Sequence, residues 1–226
     1  YAASLVPEVT EDLTQIDDAM KLGYNWVKGP FELLDEIGVE YFIDRLQKDG
    51  REVPSFLTSG LENGFYTDKK TGLNSLDANG FFFPIIRPKG VLRFSELRQT
   101  LSSISSNRSA SRYEYEGAAT VEFHSKANAL DSGSLDILSE ALSESQKMGL
   151  RGVIVHNDSH HFSCGVSLWS VRDCFEKEDF NSLEAFLVYF QETMLKMRSS
   201  TLPVIAAPVG MSIGGGFEVV LHADHV

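Results

Sequence analysis

The chain has 226 residues, of which 42% are hydrophobic and 23% are charged, values typical of a globular protein with one or two domains. Its net charge of −12 argues against nucleic-acid binding, which needs a basic surface. The sequence contains no apolar run of about 18 residues, so we expect no insertion into a membrane. Two cysteines make neither a disulfide framework nor a cysteine-rich metal site, and they favour a cytoplasmic location.

Residues 1–57 have the pattern of short helices. The sequence Thr-Gln-Ile-Asp at residues 14–17 resembles a capping box, in which side chains at a helix start bond the free backbone amides. Pro30 suits the first turn of another helix, which repeats apolar residues on one face. Pro54 closes this helical region.

Residues 58–112 predict a connecting segment, because several pairs ending in glycine mark turns. Within it, the apolar residues 81–86 predict a docked strand or plug, and residues 92–101 could form one helix. The serine-rich run at residues 102–111 is the best candidate for a linker. We expect this segment to be partly ordered.

Residues 113–226 alternate strands with helices, which predicts an α/β layered domain. Asp131 can cap an amphipathic helix, and residues 183–197 repeat apolar side chains at the spacing of a second helix that packs on a core. The predicted strands lie at residues 119–124, 152–156 and 204–207.

The segment Gly-Gly-Gly-Phe-Glu at residues 214–218 follows the last of these strands and opens a predicted helix. Glycines let backbone N–H groups approach a ligand closely, and the amides at a helix start suit a developing anion. With the Glu218 carboxylate beside them, such donors can polarise a carbonyl and move a proton next to it. The alternative from this segment alone is a helix packed tightly on a strand, with Glu218 as a surface residue.

Two further segments, together with this one, resemble a known family. Residues 121–131 place Asn-Ala-Leu after a strand, residues 152–168 place Phe-Ser-Cys-Gly after another, and residues 203–218 run from Pro-Val-Ile-Ala-Ala to the glycines. Their order and spacing resemble the crotonase (enoyl-CoA hydratase/isomerase) family. The resemblance implies a spiral of β-β-α turns, of which the N-terminal half is present, and a CoA thioester as substrate.

The resemblance also implies the roles of the site residues. The backbone amides of Cys164 and Gly215 would bind the thioester oxygen. Glu218 would be the first of two glutamates that hold a water and exchange protons with it, and the second glutamate belongs to a region after Val226. The main-chain contacts to the CoA adenine map to Lys126, Ala127, Ala129, Gly165 and Val166.

Several other residues have more than one possible interpretation. Cys164 stands where the family usually has alanine or glycine, and a thiol nucleophile with His160 or His161 as its base is a second possible role. A metal site on these two histidines is not expected, because adjacent residues do not share a face. Ser167 stands where many family members have aspartate, so the polar contact made there needs another explanation. Asp224 is interpreted as a structural residue.

The front of the chain resembles a different family. Residues 12–21 and 23–38 match the pattern IDxAM…G…GPFxLxDxxG of the C-terminal helical domain of 3-hydroxyacyl-CoA dehydrogenases. The resemblance implies a small all-helical domain that makes subunit contacts, and so a homo-oligomer. No Gly-x-Gly-x-x-Gly opens a strand-turn-helix unit, so we expect no cofactor in this chain and NAD in the intact protein.

The expected fold is therefore α plus α/β, with a dehydrogenase-like helical domain at residues 1–57, a connecting segment at 58–112 and an incomplete crotonase-type domain at 113–226. The first residue is not methionine and the last ones hold no stop signal, so a fragment of a longer protein is expected. That protein would hydrate trans-2-enoyl-CoA and oxidise 3-hydroxyacyl-CoA with NAD in fatty-acid β-oxidation. The alternatives are an enoyl-CoA isomerase and a non-catalytic module for acyl-CoA binding or oligomerisation.

Overall fold

A computed structural model describes residues 1–69, 72–159 and 161–226 of the chain. The chain divides into two compact units, Tyr1–Leu92 and Arg93–Val226. Each unit encloses its own cluster of buried apolar side chains, so each has a hydrophobic core.

Short helices open the first unit. They are α1 (Leu13–Tyr24), α2 (Pro30–Ile37), α3 (Val39–Lys48) and α4 (Ser55–Ser59). Pro30 is the first residue of α2, as predicted, because the missing N–H of proline costs nothing at that position. Phe31, the next residue, is fully buried in the core.

The predicted capping box at residues 14–17 is wrong. The cap of α1 is Asp12, whose carboxylate accepts from the Thr14 amide at 2.9 Å. Asp17 is fully buried and faces the start of α2, where backbone amides lack partners in their own helix. Its carboxylate accepts from the Phe31 amide at 2.9 Å, the Glu32 amide at 3.1 Å and the Tyr66 hydroxyl at 2.8 Å.

The first unit continues past residue 57 into an antiparallel sheet. Its strands are β1 (Tyr66–Lys69), β2 (Gly72–Leu76) and β3 (Phe82–Pro84), in the order β1-β2-β3. The strand predicted within residues 81–86 is β3. Phe65 and Leu76 belong to the same core as the helices, so this unit is not helical throughout.

The predicted connecting segment, residues 58–112, is shared between the two units. Residues up to Leu92 belong to the first unit, and those from Arg93 belong to the second. The carboxylate of Asp35 fixes the first part, because it accepts from the amides of Phe65 and Tyr66 at 2.8 and 2.9 Å.

The second unit is built on strands that form one mixed sheet and a smaller pair. In chain order they are β4 (Ser105–Ser106), β5 (Ala110–Tyr115), β6 (Ala118–Phe123), β7 (Val153–His156), β8 (His161–Ser163), β9 (Val204–Ala207) and β10 (Met211–Ser212). The mixed sheet has the order β4-β5-β6-β7-β9, antiparallel as far as β6 and parallel from β6 to β9. The pair β8-β10 is parallel.

The three predicted strands of this unit are confirmed as β6, β7 and β9, within one residue at their ends. A turn at Glu116 and Gly117, both with positive φ, joins β5 to β6. Positive φ at both central residues is typical of the hairpin turn whose twist matches that of the strands.

The serine-rich run at residues 102–111 is part of the sheet and not a linker. Ser111 is 4% exposed in β5, and its hydroxyl bonds that of Ser106 in β4 at 2.7 Å and the His124 Nε2 at 2.9 Å. Hydroxyl groups that satisfy one another can be buried in a sheet at little cost.

Helices cover this sheet. They are α5 (Phe94–Leu97), α6 (Ser132–Lys147), α7 (Leu168–Glu176), α8 (Phe180–Arg198) and α9 (Gly215–Leu221). The helix cap predicted at Asp131 is confirmed, since its carboxylate accepts from the Ser134 amide at 2.9 Å. α8 contains the helix predicted at residues 183–197, and α5 takes up part of the one considered at residues 92–101. Among the described residues, no helix is long and apolar enough to cross a bilayer.

Candidate active site

The short strand β8 is the place where the three motif segments meet. Each of its carbonyl oxygens accepts a hydrogen bond from a different part of the chain. The bonds run from Asn128 Nδ2 to His161 O at 2.7 Å, from the Asn157 side-chain amide to Phe162 O, and from the Ile213 amide to Ser163 O at 3.0 Å. The strand therefore fixes the relative positions of the Asn-Ala-Leu, Phe-Ser-Cys-Gly and triple-glycine segments.

The Asn-Ala-Leu segment forms a tight turn against the residues that follow β8. Ala127 and Asn128 have φ angles of 54° and 51°, in the left-handed region that asparagine tolerates better than most residues. The Leu130 amide donates to Gly165 O at 2.8 Å, and the Ser167 amide donates back to Leu130 O at 2.8 Å. These two bonds hold the two segments that contain the predicted adenine-binding positions next to each other.

Gly165 and Gly216 are packed so closely that side chains would not fit. A Cβ atom built on Gly165 would lie 2.8 Å from Ile213 O and 3.2 Å from the Gly215 nitrogen. A Cβ atom on Gly216 would lie 2.6 Å from both Cβ and O of Ser163. The tight helix-on-strand packing that the sequence left as an alternative is therefore present.

The two predicted oxyanion donors differ in their present partners. Gly215 is the first residue of α9, and its amide donates to no oxygen in the part of the chain that the structure describes. This is the usual state of an amide in the first turn of a helix. The Cys164 amide donates to Ala127 O at 3.2 Å. One donor is thus free, and the other is held by the Asn-Ala-Leu turn.

Glu218 lies one turn beyond Gly215, in the first turn of α9. Residues three apart share a face of a helix, so Glu218 lies on the same face of α9 as Gly215. The side chain is exposed, and it makes no salt bridge with any described residue. Two hydrogen bonds fix the main chain of Glu218. Its amide donates to Gly214 O at 3.0 Å, and the carbonyl of Glu218 lies 2.8 Å from His222 Nδ1.

The predicted adenine-binding residues are distributed over two adjacent turns. Lys126 and Ala127 are exposed, Ala129 and Val166 are partly buried, and Gly165 is buried. Several of their backbone groups already have partners within the protein: Lys126 O accepts from the Ala129 amide at 3.3 Å, and Ala129 O accepts from the Ser125 hydroxyl at 2.5 Å. Gly165 O accepts from the Leu130 amide at 2.8 Å, and the Gly165 amide donates to the Ser163 hydroxyl at 3.1 Å. The adenine-binding role of these residues stays a prediction.

The alternatives raised for the neighbouring residues have different outcomes. Cys164 is an exposed free thiol, and no hydrogen bond joins it to the described residue His161. His160 lies outside the described residues. Within the described part of the chain, no group of three His, Cys, Asp or Glu side chains could hold a metal ion.

Two polar residues have structural roles. Ser167 caps α7, because its hydroxyl accepts from the Ser170 amide at 3.5 Å, so it provides the cap that was uncertain from the sequence. The Asp224 carboxylate accepts from the Val204 amide at 2.8 Å, which ties the end of the chain to β9.

Sequence reasoning missed Asn157, which is 1% exposed and lies directly after β7. Its Oδ1 accepts from the Phe123 amide at 2.7 Å, and its side-chain amide donates to Phe162 O. The signal available in the sequence was an asparagine where a buried apolar strand ends, a common position for a residue that satisfies backbone groups.

The second unit is thus an α/β fold in which three distant segments meet at β8. Residues 113–226 match the family model described as enoyl-CoA hydratase/isomerase, and the chain belongs to this family. The match covers the unit that contains β8 and the glycine segment.

Proteins similar over the whole chain are longer than it. The chain is 33% identical to the probable 3-hydroxyacyl-CoA dehydrogenase of Bacillus subtilis and 30% identical to a putative fatty acid oxidation complex trifunctional enzyme of Rickettsia felis. Each alignment covers 100% of this chain and 29% of the relative. The chain thus spans less than a third of the length of these relatives. A solved structure of a putative enoyl-CoA hydratase from Streptomyces coelicolor matches 55% of this chain and 48% of its own, with 24% identity and a TM-score of 0.48.

Proposed function

We propose that the second unit carries the substrate-binding part and the first carboxylate of an enoyl-CoA hydratase site. The observation that supports this most is the meeting of the three motif segments at β8. It sets the turn of Cys164 against Gly215 and places Glu218 one helical turn further on.

The proposed chemistry depends on stabilising negative charge on a thioester oxygen. The Gly215 and Cys164 amides would donate to this oxygen, and removal of one such donor typically raises a barrier by about 3 kcal/mol. The Cys164 amide would exchange its bond to Ala127 O, 3.2 Å long, for the substrate oxygen. Glu218 would hold a water and exchange a proton with it as the water adds to the double bond.

Enoyl-CoA isomerisation is the second candidate. The Asp224 carboxylate is bound to the Val204 amide in a structural role, so Glu218 is the acid proposed for either reaction. Isomerisation needs one carboxylate to move a proton between two carbons, and Glu218 would supply it. The non-catalytic alternative, acyl-CoA binding without turnover, uses the same amides without a role for Glu218.

The wider protein is proposed to act in fatty-acid β-oxidation. The names of the two long relatives and the dehydrogenase-like pattern in residues 12–38 support a neighbouring 3-hydroxyacyl-CoA dehydrogenase that uses NAD. We propose a cytoplasmic homo-oligomer, since the two cysteines are free and the helical pattern resembles a subunit-contact domain.

Hydration of crotonyl-CoA, followed by loss of the enoyl absorbance, tests this proposal. Glu218→Gln should lower kcat by about 100-fold or more, because a positioned acid–base group contributes at least that factor. Glu184→Gln is the matched control, since Glu184 is an exposed glutamate on α8. A 3-enoyl-CoA substrate separates the candidates, because an isomerase converts it to the 2-enoyl product. Equal turnover by the Glu218 and Glu184 variants would contradict a catalytic Glu218.

A further inference from the structure

The residue Asn157 connects two parts of the proposed site that are far apart in sequence. On one side it holds the Phe123 amide at the end of β6, three residues before the turn at Lys126. On the other side it holds the Phe162 carbonyl, two residues before Cys164. A single buried side chain thus joins the backbone leading to the CoA-contact turn with the backbone leading to a proposed oxyanion donor.

The amide of asparagine is chemically matched to both contacts. Its Oδ1 can only accept and its Nδ2 can only donate, which is what a backbone N–H on one side and a C=O on the other require. The side chain is 1% exposed, so water cannot replace either partner. A buried carbonyl that loses its donor carries a full desolvation penalty.

The bond from Asn157 to the Phe162 carbonyl affects the position of the backbone that leads to the Cys164 amide. β8 is only His161–Ser163, and each of its carbonyls is held by one donor from another segment. The Phe162 ring is fully buried and lies edge-on to that of Phe123, with ring centroids 6.4 Å apart. If the bond from Asn157 is lost, the Phe162 carbonyl, two residues before Cys164, loses its donor. The carbonyls of His161 and Ser163 keep theirs, so we expect a local displacement before Cys164 and not the loss of β8.

We propose that Asn157 is a positioning residue that sets the Cys164 amide relative to the Gly215 amide. The proposal rests on the function proposed above and adds a residue to which the motif resemblance gives no role. Asn157 does not touch the substrate, so its effect is on the chemical step through the geometry of the amide pair. A displacement of about 1 Å in such a pair can lower the rate by as much as 100-fold.

The substitution Asn157→Asp separates the two contacts. An aspartate keeps the oxygen that accepts from Phe123 and loses the donor to Phe162 when it is ionised. We expect kcat for crotonyl-CoA to fall by 10- to 100-fold while KM changes less than about threefold, because the Phe123 side is intact. Protonation of the new carboxyl restores the donor, so kcat of this variant should recover as the pH is lowered. Asn157→Leu, which loses both contacts, should change kcat and KM together.

The experiment uses the whole protein and two readouts besides turnover. The enolate absorbance of bound acetoacetyl-CoA reports charge on the thioester-side oxygen, and amide hydrogen exchange reports the opening of residues 161–165. The matched control is Asn181→Asp, because Asn181 is an exposed asparagine on α8. Circular dichroism verifies the folding of each variant.

The outcomes distinguish the two proposals. Faster exchange at residues 161–165 with a weaker enolate signal in Asn157→Asp supports the positioning role. Unchanged exchange and unchanged kcat in a folded Asn157→Asp variant overturn it, even if the wild type hydrates crotonyl-CoA. A wild type without turnover or enolate signal overturns the hydratase proposal, and the exchange data alone then decide whether Asn157 holds the Cys164 turn.

Discussion

Replacement of Gly216 by alanine tests whether close packing of α9 on β8 holds the site together. The new Cβ atom would lie 2.6 Å from Ser163 Cβ and O, whereas carbon atoms in contact are about 3.5 Å apart. One element must move by about 0.9 Å, the difference between these distances. Ser163 is fully buried, so the adjustment falls on the start of α9.

For Gly216→Ala, the expected change in the free energy of unfolding is opposite in sign to the change that helix propensity alone predicts. Alanine is favoured over glycine inside a helix by up to about 1 kcal/mol, so propensity alone predicts a more stable protein. Overpacking of a tight contact costs about 1–3 kcal/mol, so the structure predicts a less stable one. We expect Gly216→Ala to lower the free energy of unfolding of the second unit by up to about 2 kcal/mol, the balance of these two terms.

Urea unfolding followed by Trp169 fluorescence measures this, in a Trp26→Phe background so that only the second unit reports. The matched control is Gly133→Ala, at the second residue of α6 as Gly216 is at the second residue of α9. Its Cβ atom would meet only side-chain ends at 3.2 to 3.3 Å, so a change within about 0.5 kcal/mol is expected. An unfolding midpoint that rises in Gly216→Ala would refute the packing argument.

Two further substitutions test carboxylates that accept hydrogen bonds from backbone amides. Burial raises the pKa of Asp17 above 3.8, so the folded state binds its proton more tightly, and this contribution to stability is lost as the pH rises through the folded pKa. Asp17→Asn should therefore flatten the decline in stability of the first unit above pH 3.8, measured by hydrogen exchange in α2, and equal pH slopes would argue against it. Asp224→Ala should lower the free energy of unfolding of the second unit by about 1–3 kcal/mol in urea unfolding, because the Val204 amide loses its acceptor. The exposed control Glu184→Ala should have almost no effect, and a similar loss in both variants would count against a specific role for Asp224.

The elements that the sequence predicts well are those whose pattern is local. The apolar runs that became β6, β7 and β9 are buried, and Asp131 lies next to the helix it caps. Such patterns depend on a few consecutive residues and on the period of the element.

The errors came from contacts between distant residues. Asp17 bonds amides 14 and 15 residues away and a hydroxyl 49 residues away, which no local capping pattern contains. The serines at residues 105–111 have the composition of a linker, but pairing of β4 and β5 brings the Ser106 and Ser111 hydroxyls within 2.7 Å of each other. Tertiary partners override local preference in both cases.

For the candidate site, the sequence supplied the residue types and the family resemblance supplied their grouping. Spacing alone does not bring Ala127, Cys164 and Gly215 together; the carbonyls of β8 do. The bond from the Cys164 amide to Ala127 O and the role of Asn157 follow only from coordinates.

The mixed sheet of the second unit also sets the order in which the unit can fold. Strands β5 and β6 are joined by a two-residue turn, and hairpins of this kind form in about 1–10 μs. Pairing of β7 with β9 closes a crossover that contains α7 and α8, and such long-range pairing is slow because the entropy of loop closure is lost first. We therefore expect the segment from β8 to α9 to become ordered after the hairpin, because its position depends on the long-range pairing of β7 with β9.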